Sequence, residues 1–329
     1  ALPLIEVQDV WDTYGAQGEG VKIGIIDSGI DYCHPDFGPP NDTDWVEQCL
    51  DDGTNEFVCP VENPTCFPNS VVVGGYNFVE DIYGKGEYPH PGNFVEHADT
   101  WIRSPYGHGT HVAHAAYATA PGSVLYSFKV PQASSSSDAV AALERCADLD
   151  GNDTFNRIDI VNLSLGYPGQ PDLHSVALAA QNLVWLGTVV VASNGNSGPD
   201  GNSNCRHPDF EGGEEMSTCC PACADGVIGV ANSTKDDEIN DSSSRGPSWP
   251  KEDGTTISKP DISAPGTSIC AAQYGFWFGD YDGNQDCLGD THHTEATGTS
   301  MSSPIVAGAA ALFKGAYPEL SPYEIKRLL

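Results

Sequence analysis

Three short segments carry side chains suited to joint acid–base and nucleophilic chemistry. Ile26-Asp27-Ser28-Gly29-Ile30 ends a β-branched run with a carboxylate, and Gly107-His108-Gly109-Thr110-His111-Val112-Ala113 sets an imidazole between two glycines. Gly298-Thr299-Ser300-Met301-Ser302-Ser303-Pro304 sets a hydroxyl just before a run of small residues. A serine is a weak nucleophile until an imidazole accepts its proton, and the imidazolium so formed is held by a carboxylate. Asp27, His108 and Ser300 supply those groups. The glycines beside His108 let the ring approach a partner without Cβ clashes. A serine at a helix start has backbone N–H groups aimed at developing negative charge.

The elements that must position these groups follow from the apolar pattern. Residues 21–26 read as a buried strand stopped by the Asp27-Ser28-Gly29 turn, with similar strands expected at 71–73, 124–130, 158–163, 188–192 and 227–230. Helical patterns lie at 112–118, 138–149, 173–186 and 321–329. Strands alternating with helices predict an α/β fold in three layers, a mostly parallel central sheet with helices on both faces, whose sites lie at the carboxyl ends of strands. Two stretches break the alternation: residues 38–103, with Cys49, Cys59 and Cys66, and residues 199–225, with Cys205, Cys219, Cys220 and Cys223. Neither holds a plausible core, so both are expected to be disulfide-held surface insertions in one catalytic domain spanning residues 1–329.

The chain has 329 residues, 39% of them hydrophobic, enough to bury a sizeable core. No run approaches the roughly 18 to 20 apolar residues of a membrane span, so none is expected. With 14 basic and 46 acidic side chains the net charge is −32, which makes nucleic acid and anionic membranes poor partners. Eleven cysteines point to an oxidising compartment, and their odd number leaves at least one thiol free or partnered elsewhere. The start at Ala1 predicts a leader already removed, and the end at Leu329 inside a helical pattern predicts further chain.

On the three segments, in the order Asp, His, Ser, the chain resembles the subtilisin-like serine proteases, the subtilases, from Gly20 to Leu329. That resemblance implies a secreted, extracellular endopeptidase working through an acyl-enzyme. Asp27 would be the orienting carboxylate, His108 the general base and then acid, and Ser300 the nucleophile. It implies polypeptide substrates, a pro-segment of its own as inhibitor and chaperone, and no cofactor for the chemistry. Asp159-Ile160-Val161-Asn162-Leu163-Ser164-Leu165-Gly166 is similar to the family's substrate-lining strand, so Ser164, Leu165 and Gly166 would offer backbone groups to an extended peptide. Val189 to Gly198 is similar to the segment supplying the oxyanion-hole amide. Asn196 is the better match there, and Asn194 stands where a small residue is usual.

Other readings stay open beside these. His108, His111 and His114 suggest a metal, but their spacing is not the i, i+4 pair with glutamate of zinc hydrolases, and His111 reads as a structural residue under the helix. His114 and Ile305 depart from the family pattern, which has glycine and often histidine there. Asp36, in His34-Pro35-Asp36-Phe37, matches a family calcium ligand, although the bulge completing that site is missing. Asp148, Asp150 and Asn152, and Asp280, Asp282, Asn284 and Asp286, are either acidic turns or structural calcium loops. Cys220-Pro221-Ala222-Cys223 with Cys205, Cys219 and His207 reads as disulfides or a zinc knuckle. Sequons occur at Asn41, Asn152, Asn232 and Asn240, and a fifth at Asn162 falls in an expected strand. A silent family member serving as a binding module, and a serine-carboxyl peptidase with Glu and Asp in place of His, are the alternative functions. The intact triad and the glycine-flanked His108 argue against them.

Overall fold

Alternating side chains build the centre of the molecule. Along β1 (Lys22–Asp27), Ile23 and Ile25 enter one apolar cluster and Ile26 the other. Along β5 (Val189–Ser193), Val189 and Val191 face the first cluster, while Val190 and Ala192 face the second. A strand buried on both faces reads as a continuous apolar run, and helices must cover each side. The computed structural model describes residues 1–32, 34–38, 68–79, 107–131, 136–151, 156–208, 215–273, 287–288 and 293–329. Cys49, Cys59, Cys66, the sequons at Asn41 and Asn152 and the acidic run from Asp280 to Asp286 lie outside the described residues.

Seven parallel strands form the sheet in the order β2-β3-β1-β4-β5-β6-β7. The others are β2 (Val72–Asn77), β3 (Val124–Lys129), β4 (Ile160–Leu163), β6 (Ile228–Ser233) and β7 (Ile262–Pro265). β8 (Ile269–Ala272) and β9 (His293–Ala296) pair antiparallel in a separate hairpin. Helices α2 (His108–Thr119) and α5 (Thr299–Ala316) pack in one cluster, together with Val7 of α1 (Val7–Tyr14) and Ile325 of α6 (Pro322–Leu328). Helices α3 (Ser136–Ala147) and α4 (Ser175–Trp185) pack in the other. The α/β three-layer expectation is borne out.

Two of the sheet's neighbours matter for the site. β3 and β4 flank β1 on opposite sides, so chain order reverses across β1 and opens a crevice at the carboxyl ends of β1 and β4. The first turn of α5 meets that crevice through Ser300, and the small residues behind it allow close contact with α2. A Cβ on Gly308 would stand 2.5 Å from Thr119 Cβ and 2.7 Å from the Ala116 carbonyl of α2.

The cysteines of residues 199–225 pair as Cys205–Cys219 and Cys220–Cys223. All four cysteines are buried, and Cys220 and Cys223 join the second apolar cluster beside the sheet. Cys270 of β8 pairs with Cys287. Cys146 is a free thiol buried in α3, and its burial pushes its pKa up, keeping it an unreactive apolar residue.

Candidate active site

Asp27 ends β1, where the strand's last residue faces the crevice. Its Oδ1 accepts hydrogen bonds from the Ser28 amide at 2.8 Å and the Ser28 hydroxyl at 3.2 Å, and lies 2.7 Å from His108 Nδ1. Asp27 is 5% exposed, so little water competes for that oxygen. A carboxylate only accepts, so Nδ1 carries the proton and Nε2 is the acceptor nitrogen of the ring.

The glycines around His108 set this distance. Gly107 caps α2 at φ 57°, a left-handed conformation that glycine adopts without penalty. A Cβ on Gly109 would lie 2.1 Å from the Gly29 carbonyl, so the helix start presses directly on the turn after Asp27. The contact is pinned by the Gly109 amide donating to Ser28 Oγ at 3.0 Å and the Asp31 amide donating to Thr110 Oγ1 at 2.9 Å.

Ser300 lies in the first turn of α5. Its hydroxyl donates to the Ser164 carbonyl at 3.2 Å, while Ser164 Oγ donates back to the Ser300 carbonyl at 2.8 Å and lies 3.0 Å from Ser303 Oγ. Ser164, Leu165 and Gly166 follow β4 and line a cavity of about 160 Å³ with Asp27, Ser28, His108 and Tyr167. The structure thus joins the Asp27–His108 pair and the Ser164–Gly166 wall in one cleft, with Ser300 bonded to that wall.

Two asparagines were open for the oxyanion role, and their surroundings differ. Asn194 is fully buried, with its Nδ2 spent on the Ser244 carbonyl at 3.1 Å. Asn196 is partly exposed beside the Ser300 segment. Its Oδ1 accepts from the Thr299 amide at 2.9 Å and from the Thr299 hydroxyl at 3.1 Å, and a Cβ on Gly298 would stand 3.3 Å from its Nδ2.

Sequence reasoning did not foresee what stands behind the substrate wall. A Cβ on Gly166 would lie 2.6 Å from Cys219 Cβ, so the Cys205–Cys219 disulfide backs the wall directly. Tyr167 forms an antiparallel bridge with Cys220, and its ring stacks on His174 at 5.3 Å. Cysteines set beside a segment of the Gly-rich pattern were the available signal.

His111 does not enter the cleft. It is buried under α2, with Nε2 2.9 Å from the Ile269 carbonyl and 3.2 Å from that of Thr294, as a structural residue would be. His114 points instead to Asp36, described below, and Ile305 is buried in the α5 core. Asp148 Oδ1 accepts from the Gly151 amide at 3.0 Å and Asp150 Oδ1 accepts from Asn156 Nδ2 at 2.8 Å, so both carboxylates serve their own turn. The zinc knuckle is excluded by the two disulfides that use its cysteines.

Comparison with known proteins places the chain in a family. The family model of the subtilases, peptidase S8, matches residues 18–329. The chain belongs to the subtilase family. It is 30% identical to Subtilisin DY of Bacillus licheniformis over 100% of this chain and 88% of that protein. It is also 30% identical to the serine protease AprX of Bacillus subtilis, over 79% of this chain and 62% of the relative. Among solved structures, a cold adapted subtilisin-like serine proteinase superposes with a TM-score of 0.59 at 20% identity, over 95% of this chain and 82% of that one. Fervidolysin of Fervidobacterium pennivorans, a keratinolytic enzyme, superposes at 0.62 and 22% identity, over 98% of this chain and 40% of its own. The subtilase is therefore a serine endopeptidase of the subtilisin type, and the family's chemistry requires no cofactor. Among the described residues no helix is long and apolar enough to cross a membrane.

Proposed function

We propose that this subtilase is a secreted endopeptidase in which Asp27, His108 and Ser300 act as the triad. The observation that carries the reading is the 2.7 Å contact from His108 Nδ1 to the buried Asp27 carboxylate, which leaves Nε2 as the base. Ser300 Oγ turns from the Ser164 carbonyl toward Nε2, gives up its proton and bonds to the scissile carbonyl carbon. The oxyanion so formed accepts hydrogen bonds from the Ser300 amide at the α5 N-terminus and from Asn196 Nδ2. Asn196 is oriented for that by spending its Oδ1 on Thr299. His108 passes the proton to the leaving amine, and water then releases the acyl group by the same route in reverse.

Substrate is an extended polypeptide laid beside Ser164, Leu165 and Gly166, held by backbone hydrogen bonds with selectivity left to side-chain pockets. The three disulfides among the described residues support an oxidising, extracellular setting. A pro-segment of the same protein is the expected first occupant of that cleft, as inhibitor and folding aid. The test is an organofluorophosphate label followed by peptide mapping. Label on Ser300, with peptidase activity lost in Ser300→Ala, is the expected result, and label on no serine would overturn the reading.

A further inference from the structure

Outside the cleft, three imidazoles converge on one carboxylate. His34 caps the turn Pro35–Phe37 that follows β1, Asp36 lies within it, His114 projects from α2, and His293 opens β9. Asp36 Oδ2 lies 2.8 Å from His293 Nε2, 3.3 Å from His114 Nε2 and 3.6 Å from His34 Nδ1. Donor atoms of His34, Asp36 and His293 all fall within 4.8 Å of one another. A tetrahedral ion with ligands at about 2.0 to 2.1 Å has edges of roughly 3.3 Å, between the 2.8 Å and 3.6 Å that separate Asp36 Oδ2 from His293 Nε2 and His34 Nδ1.

Hydrogen bonds sort the four residues into roles. His114 Nδ1 accepts the Ala272 amide at 2.8 Å, so the proton of the neutral ring sits on Nε2 and points at Asp36. His114 is thus a donor to the carboxylate, the outer partner that ligating groups usually have. His34 Nδ1 is the acceptor nitrogen of its ring; its lone pair takes the Asp36 amide at 3.2 Å and would exchange that long bond for an ion. The His34 side chain is fully buried and its ring meets Phe37 edge-on at 6.0 Å, so a ligand there is shielded on an apolar side.

Two imidazoles and one carboxylate are nitrogen-rich, borderline donors. Calcium takes about six to eight oxygen ligands, and among the described residues this cluster offers one carboxylate and imidazoles, which suit it poorly. Imidazole with carboxylate suits zinc and its neighbours in the first transition row. A surface with a net charge of −32 also concentrates cations around every such site.

We propose that His34, Asp36 and His293 bind a divalent transition ion, zinc foremost, with His114 orienting the Asp36 carboxylate. The ion would cross-link the turn after β1 to the strand that leads into α5, and through His114 to α2. It would stiffen the frame around Asp27, His108 and Ser300 without touching the reacting atoms.

The test uses the full chain carrying Ser300→Ala to stop self-digestion, stripped with a chelator and dialysed against zinc. Bound metal is counted by mass spectrometry, and nitrogen ligation is read from X-ray absorption at the zinc edge. One tightly held equivalent is expected, with affinity falling at least tenfold in both Asp36→Asn and His293→Gln and by a smaller factor in His114→Gln. His207→Gln, which alters a histidine packed against Trp249, should keep the full equivalent. If Asp36→Asn fails to fold, the affinity of His293→Gln and the nitrogen count of the unaltered site decide. The proposal is overturned by the absence of a stoichiometric ion, by equal affinity in the ligand variants, or by calcium displacing zinc at equal concentration.

Discussion

Acidification should loosen this enzyme through His111, and the size of the effect follows from its surroundings. The ring donates from Nε2 to the Ile269 and Thr294 carbonyls, one on each strand of the β8–β9 hairpin, while Nδ1 is buried with no hydrogen-bond partner among the described residues. Protonating Nδ1 would create a buried charge with an unanswered donor. Burial, opposed by the Ile269 carbonyl and aided by the nearby His108, lowers the pKa from 6.5 to about 4. Between those values the unfolded chain holds the proton and the folded chain does not, so stability falls as the pH falls through that window. A difference of about 2.5 units at 1.36 kcal/mol each amounts to about 3 kcal/mol in total, most of it lost by pH 4.5.

The assay is urea unfolding of Ser300→Ala at pH 7.5 and pH 4.5, beside the same protein carrying His111→Gln. Glutamine keeps an N–H donor without titrating, so the difference between the two pH responses isolates His111 from the acidic residues that also protonate. The parent should lose about 2 to 3 kcal/mol more than the variant over that interval. Parallel responses would refute the reasoning. Because the hairpin leads directly into Gly298, Thr299 and Ser300, peptidase activity of the native protein should fall in the same window.

Other substitutions separate chemistry from packing. Asp27→Asn should lower kcat by about 10⁴ with the fold intact, because the asparagine amide favours the wrong His108 tautomer; steady-state kinetics with circular dichroism checks this. Asn196→Ala should cost about 10² to 10³ in kcat with KM little changed. Asn194→Ala should instead cost about 1 to 3 kcal/mol of stability, by stranding the buried Ser244 carbonyl, and leave kcat close to the parent's. Gly166→Ala should raise KM, since its methyl would meet Cys219 at 2.6 Å and push the substrate wall outward. A peptide library should give weak preference for large aromatics at the fourth residue before the cut, where Tyr167 stacked on His174 narrows the space.

What the sequence made legible was what is local. Continuous apolar runs located β1, β4 and β5, and the glycines beside His108 located the start of α2, because each rests on neighbouring residues. The β8–β9 hairpin escaped, since His293-Thr294-Glu295-Ala296 shows no apolar alternation and its pairing comes from Cys270, His111 and the Ser300 segment. β7 is short, ends at Pro265 and lies at the sheet edge, where propensity says little. The polar stretch 199–225 did not show that its four cysteines are buried, because paired cysteines pack as apolar atoms. The cluster at Asp36 was invisible for a different reason. Its His293 partner is 257 residues away, and motif spacing along α2 tests only ligands that share a helix.

The catalytic reading depends on two helices more than on any one side chain. His108 begins α2 and Ser300 lies in the first turn of α5, and both helix starts face the carboxyl ends of β1 and β4. The tight contact between the helices lies elsewhere, where Gly308 meets Ala116 and Thr119. Ala116 and Gly308 each stand eight residues past their catalytic partner, about 12 Å along the axis. A rigid helix turns a small shift at that contact into a comparable displacement at its N-terminus, and a misplacement of about 1 Å can cost roughly a hundredfold in rate. Residues with no proposed chemistry therefore hold the distance between His108 and Ser300, which accounts for the small side chains of α5 behind Ser300. The same lever gives the His34, Asp36 and His293 cluster its meaning: it joins the turn after Asp27 to the strand before Ser300, the two ends that α2 and α5 do not themselves tie together.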